Sequence, residues 1–281
     1  MKLSVIILNY NTKDLTLKCV ESVIKNTKNL DYEIILVDNG SLENFPKSSD
    51  YRLVTNKTNL GFAGGNNSAR KFAKGEYVLF LNSDTEVEKN TLQDTVSYMD
   101  GRKDIGALTC KTFLPNGKLD RDARRSFPTP WVALTHFTGL DRIFPKSYLF
   151  AKYWYGYKSP DEIHEIDALQ GAYFFTRKKI LDEVDWFSED YFLDGEDIDL
   201  SWKIQNLGYK NIYYPKVSIL HIKKASKRKR SLKSTLAGMN SMEIFYKKHL
   251  WENYPLLLNF IVLNAIHLMK AIRFGKAIVK R

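Results

Sequence analysis

The sequence predicts an α/β fold in which a mostly parallel sheet is flanked by helices and followed by a C-terminal helical extension. Three observations carry that expectation. Short apolar runs rich in β-branched residues recur through the first 84 residues, and stretches of helical period or dense glycine separate them. Beyond residue 222 the composition changes to a basic block and then to an amphipathic stretch. Strands that alternate with helices build a sheet covered on both faces.

"KLSVIIL" (2–8) is short and β-branched, so it reads as a buried strand. From Thr12 to Lys25, Leu15, Cys19, Val20 and Val23 recur at helical spacing, with Thr12 placed as the N-cap. "YEIILVD" (32–38) and "YRLVTN" (51–56) are the next strands. A short helix starting near Gly65 leads to the strand "EYVLFLNSD" (76–84). "TFLPNGKLDRDARRSFPTPW" reads as loop and short hairpin, with "LPNGKL" as the turn. "IDALQGAYFFTRKKILDEV" is a strand followed by a helix, and "EDIDLSWKIQNLG" a helix closed by Gly208 before the strand "NIYYPKVSILHI". In the extension, the apolar stretch Leu256–Ile272 is interrupted by Asn259, Asn264, His267 and Lys270. It is short and polar for a membrane span of ~20 residues. A helix lying in a membrane interface and a helix packed on the preceding domain both fit it.

Composition narrows the function classes. The 281 residues are 44% hydrophobic and 13% aromatic, those of a folded globular chain. Two cysteines, Cys19 and Cys110, exclude a disulfide framework, and Met1 leads into "LSVIIL" without signal-peptide features, so a cytosolic domain is expected. The net charge of +11 invites phosphate-bearing partners, a membrane surface or nucleic acid. The charge is concentrated in "KKASKRKRSLK" (223–233) and at Lys270, Arg273, Lys276, Lys280 and Arg281, with no nucleic-acid-binding motif.

Three strand ends carry polar residues: Asn9-Tyr10-Asn11, Asp38-Asn39-Gly40-Ser41 and Asn82-Ser83-Asp84. Each alone is ordinary turn chemistry. Together they line one edge of a parallel sheet, where open α/β sheets place ligands. Asp38 can accept from a base or ribose, and Asp84 can hold a divalent cation on a diphosphate. In "NLGFAGGNNSA" (59–69), Gly61, Gly64 and Gly65 are spaced for neither a dinucleotide fingerprint nor a Walker loop. A tight connection and a close backbone approach to a ligand both explain them. Asp194, Glu196, Asp197 and Asp199 crowd the start of a helix, as caps or as a general base. His221 ends a strand, where it is a structural residue or an extra metal ligand.

The ordered set VIILNYN, VDNGS, NLGFAGGNN, FLNSDTEV, LQGAYFF and FLDGEDIDLSWKIQNLGY resembles the family 2 glycosyltransferases, inverting enzymes with the Rossmann-like GT-A fold, from Lys2 to His221. The resemblance implies a GT-A domain over 1–222, with a nucleotide-sugar half (1–110) and an acceptor half (111–222), and an extension over 223–281. It puts Asn9, Tyr10, Asp38 and Asn39 at the base and ribose, and Gly61, Gly64 and Asn67 beside the nucleotide sugar. Asn82-Ser83-Asp84 stands where the family has Asp-X-Asp, leaving Asp84 to bind Mg²⁺ or Mn²⁺ directly, with His221 completing the shell. Gly171 and Ala172 match the acceptor-side turn, and Glu196-Asp197 the "ED" pair whose aspartate is the base. Asp199 and Trp202 extend that motif on the acceptor side.

"RRSFPTPW" and the "NSD" variant look most like bacterial rhamnosyltransferases of surface-polysaccharide synthesis, which implies dTDP-L-rhamnose and a glycan or undecaprenyl-diphosphate-linked acceptor. Arg124 and Arg125 would grip an acceptor diphosphate or be solvated surface residues. The expected setting is the cytoplasmic face of the plasma membrane, peripheral on anionic lipid, with a homo-oligomer allowed and no nucleic-acid partner. A UDP-sugar is the alternative donor; a nucleotidyltransferase or a basic nucleic-acid-binding protein is the alternative class.

Overall fold

The structure, a computed structural model, describes residues 1–223 and 232–279. Residues 224–231 of the basic block, together with Lys280 and Arg281, lie outside the described residues. The chain begins with β1 (Leu3–Asn9), α1 (Lys13–Asn26), β2 (Tyr32–Asn39), β3 (Arg52–Asn56), α2 (Gly61–Asn67) and β4 (Tyr77–Asn82). It continues through β5 (Thr85–Val87), α3 (Thr91–Asp100), β6 (Ile105–Phe113), β7 (Arg124–Arg125), α4 (Pro130–Thr138) and α5 (Leu140–Ile143). Then come β8 (His164–Glu165), β9 (Ala168–Leu169), β10 (Tyr173–Arg177), α6 (Lys178–Glu183), α7 (Glu196–Asn206) and β11 (Lys210–His221). Two helices, α8 (Leu232–Phe245) and α9 (Leu256–Val279), close it.

Strands run in the order β3-β2-β1-β4-β10-β6-β11-β5, with β8 beside β11. Pairing is parallel across β3, β2, β1 and β4, whereas β10 lies antiparallel between β4 and β6. The fold is the expected α/β one with a mostly parallel sheet: β6 and β11 also pair in parallel, and β10, β5 and β8 supply the antiparallel pairings. Side chains alternate across β1, as a two-residue period requires. Leu3, Val5 and Ile7 face a core with Cys19, Val23, Leu92 and Val96 of α1 and α3. Ile6 faces a second core with Phe80, Phe174, Trp186, Leu200 and Ile204. Both cysteines are buried and unpaired, and burial pushes the Cys19 thiol up to about 12.

Two elements depart from the sequence reading. The glycine-rich helix α2 begins at Gly61, four residues before the expected start near Gly65. Helix α4 starts at the end of the segment read as loop and short hairpin and runs on through residues given no element in the sequence reading. Pro130 opens it at its first turn, and Gly139, at φ +80°, closes it.

The extension is joined to the rest by a third apolar cluster. Phe245, Tyr246 and Leu250 are buried with Phe127 and Tyr191 against Trp202 of α7. Asn259, which reads as a polar break in an apolar stretch, is buried. Its Nδ2 donates to the Trp251 and Tyr254 carbonyls at 2.9 and 3.1 Å, and its Oδ1 accepts from Tyr246 Oη at 2.6 Å. Helix α9 also continues past Ile272, so Leu256–Gly275 is long and apolar enough to cross a membrane by length and composition. Only 11% of that stretch is buried.

Candidate active site

Strand register brings the polar strand ends together. Asn9 pairs with Asp38, Leu8 with Asn82 and Asp38 with Thr55, so these ends share the carboxyl edge of the parallel half. Asn9 is fully buried; its Nδ2 donates to Asp38 Oδ1 at 2.9 Å and to Ser41 Oγ at 2.8 Å. Its Oδ1 accepts from the Thr12 backbone N–H and from the Thr12 and Thr16 hydroxyls. Asn9 therefore orients Asp38 and has no amide left for a ligand. Thr12 stands at the start of α1 without capping it, because its hydroxyl turns to Asn9 and to Ser83 Oγ, 3.1 Å away. Tyr10 beside them is half exposed.

The glycine-rich segment has a different employment from the one its resemblance implies. Asn39 donates to Asn59 Oδ1 and the Gly61 carbonyl, and accepts from Asn56 Nδ2 and the Leu60 N–H, which saturates its side chain. Gly61 adopts φ +79°, and a Cβ there would sit 2.4 Å from the Phe192 carbonyl oxygen, which also accepts from Phe62 N–H. A Cβ on Gly64 would meet Leu60 Cβ at 3.1 Å. Asn67 holds the Phe187 carbonyl, the Phe187 N–H and Glu189 Oε1. Asn39 thus fastens the end of β2 to the start of α2, and Gly61, Gly64 and Asn67 set α2 against the 187–192 loop that feeds α7. The close approach that glycine permits is to the protein's own backbone.

At the end of β4, Thr85 Oγ1 donates to the Asn82 carbonyl at 2.7 Å, so the Asn82-Ser83-Asp84 stretch does form a turn. It also presents a buried carboxylate. Asp84 Oδ1 lies 3.2 Å from His221 Nε2, while His221 Nδ1 is 3.5 Å from Asp120 Oδ2, an electrostatic contact without hydrogen-bond geometry. Burial lowers the affinity of His221 for a proton, but the Asp120 and Asp84 carboxylates outweigh it and leave the pKa raised. Burial likewise pushes Asp120 up. Contacts from His221, Lys223 and Gln170 reverse that and hold its carboxyl well below the usual range.

The Asp84–His221 pair suits a divalent cation. Two neighbouring ligands on a cation at about 2.1 Å stand about 3 Å apart, close to the observed separation. Among the described residues no group of three or more His, Cys, Asp or Glu is arranged to hold a metal ion, so the remaining ligands would be diphosphate oxygens and water. An imidazole beside a carboxylate fits Mn²⁺ better than Mg²⁺.

The turn Gln170–Ala172 connects this end to the carboxylates of α7. Gln170 Nε2 donates to Asp120 Oδ2 at 3.1 Å, and the Ala172 carbonyl accepts from Asn82 N–H at 3.2 Å. Between them, Gly171 N–H donates to Asp197 Oδ2 at 3.0 Å. Arg125 Nη2 donates to the same Oδ2 at 2.6 Å and to the Leu169 carbonyl. Asp197 Oδ1 is buried with no hydrogen-bond partner. One oxygen of the carboxylate is clamped and the other awaits a donor, which is what a proton acceptor needs. Glu196 is buried beside it, and burial, reinforced by the Asp197 charge, pushes its carboxyl well above the usual range.

Four residues expected on the acceptor side are committed elsewhere. Arg125 is buried on Asp197. Arg124 donates to the Lys158 and Ser159 carbonyls and lies over the Tyr213 ring, so neither arginine is a solvated residue or a free diphosphate grip. Asp199 is fully buried and accepts from His249 Nε2 at 2.6 Å and Tyr191 Oη at 3.2 Å. Trp202 packs edge-on against Phe127 and Phe245, with ring centroids at 4.7 and 5.6 Å. Asp199 and Trp202 therefore anchor the C-terminal segment. Asp120, Gln170 and Lys223 belong to the site without having been singled out in the sequence.

The sequence pattern of Glycosyl transferase family 2 matches residues 4–184. The chain is 25% identical over 236 residues to the O-antigen biosynthesis protein RfbC of Myxococcus xanthus, covering 81% of this chain and 18% of RfbC. It is 36% identical over 107 residues to the Escherichia coli UDP-Glc:alpha-D-GlcNAc-diphosphoundecaprenol beta-1,3-glucosyltransferase WfaP, covering 36% of this chain and 42% of WfaP. The matches thus span less than half of each of these relatives. In fold it is similar to the mannosyltransferase PcManGT of Pyrobaculum calidifontis, solved with GDP-Man and Mn²⁺. The TM-score is 0.60 at 18% identity, over 99% of this chain and 73% of the other.

Proposed function

The chain belongs to glycosyl transferase family 2, and from that premise we propose that it transfers a sugar from a nucleotide donor to a hydroxyl of a cell-surface glycan or its lipid-linked precursor. The observation that carries this reading is the Asp197 carboxylate. It is held at Oδ2 by Gly171 and Arg125 with Oδ1 unpartnered, on the same short turn that reaches Asn82 and Asp120. Asp197 takes the proton of the acceptor hydroxyl. The hydroxyl oxygen bonds to the anomeric carbon as the bond from that carbon to the diphosphate breaks, so one displacement inverts the configuration. Asp84 and His221 would hold Mn²⁺, which when bound neutralises charge on the departing diphosphate. Asp38, aimed by Asn9, and the exposed Tyr10 ring serve the nucleoside.

For the donor, WfaP's name gives UDP-Glc, whereas "RRSFPTPW" suggested dTDP-L-rhamnose. Both are pyrimidine nucleotides. The arginines of that segment are tied into the fold, so a UDP-sugar is the first donor to try and dTDP-rhamnose the second. An acceptor on undecaprenyl diphosphate fits an exposed apolar α9 bearing Lys270 and Arg273, lying on anionic lipid at the cytoplasmic face. The experiment is a nucleotide-sugar panel with Mn²⁺, followed by thermal shift and release of nucleoside diphosphate. A donor that shifts melting and is turned over supports the reading, and inertness toward every sugar nucleotide refutes it. A response to UDP-sugars without dTDP-rhamnose removes rhamnose alone.

A further inference from the structure

An apolar cavity of about 490 Å³ lies between α4, α8 and α9. Trp131, Leu134 and Phe137 of α4 form one wall, and Ile261 and Ala265 of α9 the other, with Tyr246 at the base. We propose that this groove binds the isoprenoid chain of a polyprenyl-phosphate lipid, so that the acceptor's tail is held as well as its sugar. The inference rests on the lipid-linked acceptor named above and adds to it a site for the chain.

Three observations select that occupant. Two polar side chains at the groove are already paired: Trp131 Nε1 donates to the Leu149 carbonyl at 2.9 Å, and Tyr246 Oη donates to Asn259 at 2.6 Å. A peptide laid there would bury backbone N–H and C=O groups without partners, at a cost that a hydrocarbon does not incur. Next, the walls carry large apolar side chains outside the groove too. Leu257, Phe260 and Leu268 of α9 are 74%, 59% and 63% exposed. A face of that kind is suited to a bilayer, from which a chain can enter laterally. Finally, the inner end leads toward the reaction. Pro128 and Pro130 at the groove follow Phe127, whose ring packs on Trp202 of α7, and Arg125 two residues earlier holds Asp197. A tail in the groove thus enters beside the segment that grips the catalytic carboxylate.

The test uses the full chain on phosphatidylethanolamine–phosphatidylglycerol vesicles with two photoreactive probes, a polyprenyl diphosphate and a phosphatidylglycerol, each carrying a diazirine in its hydrocarbon. The polyprenyl probe should label peptides covering 130–137 and 258–269, with competition by unlabelled polyprenyl phosphate. Ala265→Trp should lower that labelling about tenfold, the effect of denying the chain two buried methylenes. Ala133→Trp, from the opposite wall, should do the same. Neither residue touches the donor site, so sugar-nucleotide hydrolysis with Mn²⁺ should be unchanged in both. Equal labelling of the groove by the phospholipid probe overturns the proposal. So does labelling indifferent to both tryptophans, or a cross-linked dimer through these peptides. Wild-type protein that hydrolyses no sugar nucleotide would sink the transferase reading instead, and the labelling map would still be read for the groove.

Discussion

Arg125→Met tests the central arrangement most directly. Arg125 and Asp197 are each about a tenth exposed, 12% and 10%, and meet at 2.6 Å. Removing the guanidinium leaves a buried carboxylate beside Glu196 with Gly171 N–H as its one remaining donor. Breaking a buried pair from one side costs about 3–5 kcal/mol. For a domain of this size that is a fall in melting temperature of about 10 °C. Asp197→Asn strands the arginine instead and should cost a similar amount. The double variant removes both charges, so its cost should fall short of the sum by about 2 kcal/mol or more. Urea unfolding of the four proteins at neutral pH, followed by tryptophan fluorescence, gives the cycle. Costs that add to within about 0.5 kcal/mol would show that the two side chains do not depend on each other, and the clamp would be wrong.

Other outcomes follow from the same geometry. Asp197→Asn should lower transfer by about 10²–10⁴ while donor affinity stays within a few fold; transfer near the wild-type rate would remove Asp197 as the base. Asp84→Ala should abolish the Mn²⁺-dependent part of donor binding by calorimetry, and undiminished affinity with Mn²⁺ present would count against the cation site. Glu196→Gln should stabilise the fold in a pH-dependent way. An unfolded glutamate ionises at about pH 4.3, whereas the buried one resists ionisation to higher pH. In that window the unfolded chain has already lost its proton, so wild-type stability falls as pH rises, by up to about 1.4 kcal/mol per unit. The advantage of the glutamine variant should be absent at pH 4 and grow toward pH 7; one that shrinks contradicts the burial argument.

The sequence disclosed most where one residue type answers one local demand. Buried runs such as "VLFLN" announced β1, β2 and β4, because a strand covered on both faces is apolar throughout, and their polar ends marked the ligand edge. Gly208 at φ +86° closed α7 as its position suggested. Helix α4 escaped notice because its groove face carries Trp131, Leu134 and Phe137 while the polar Thr135 and His136 turn inward, which inverts the usual stripe. The Arg125–Asp197 pair spans 72 positions, and nothing local to "RRSFP" says that one of its arginines is buried. Asp120 sat in a charged loop, and only the return of β11 places His221 against it. Asn39 and Asn67 look the same in sequence whether an amide meets a nucleotide or the backbone of another loop.

His249 reaches across to Asp199, two residues from Asp197 and in the same helix. Cutting the chain after Met239, an obvious way to ask whether the tail seeks lipid, would strip away Phe245 and Tyr246 and take from the buried Asp199 its His249 donor. Lost vesicle binding in such a truncation would be indistinguishable from a collapsed reaction centre. Shortening beyond Asn259 keeps His249, Tyr246 and the Asn259 contacts and gives up only Val262 and Leu263 at the margin of the same cluster.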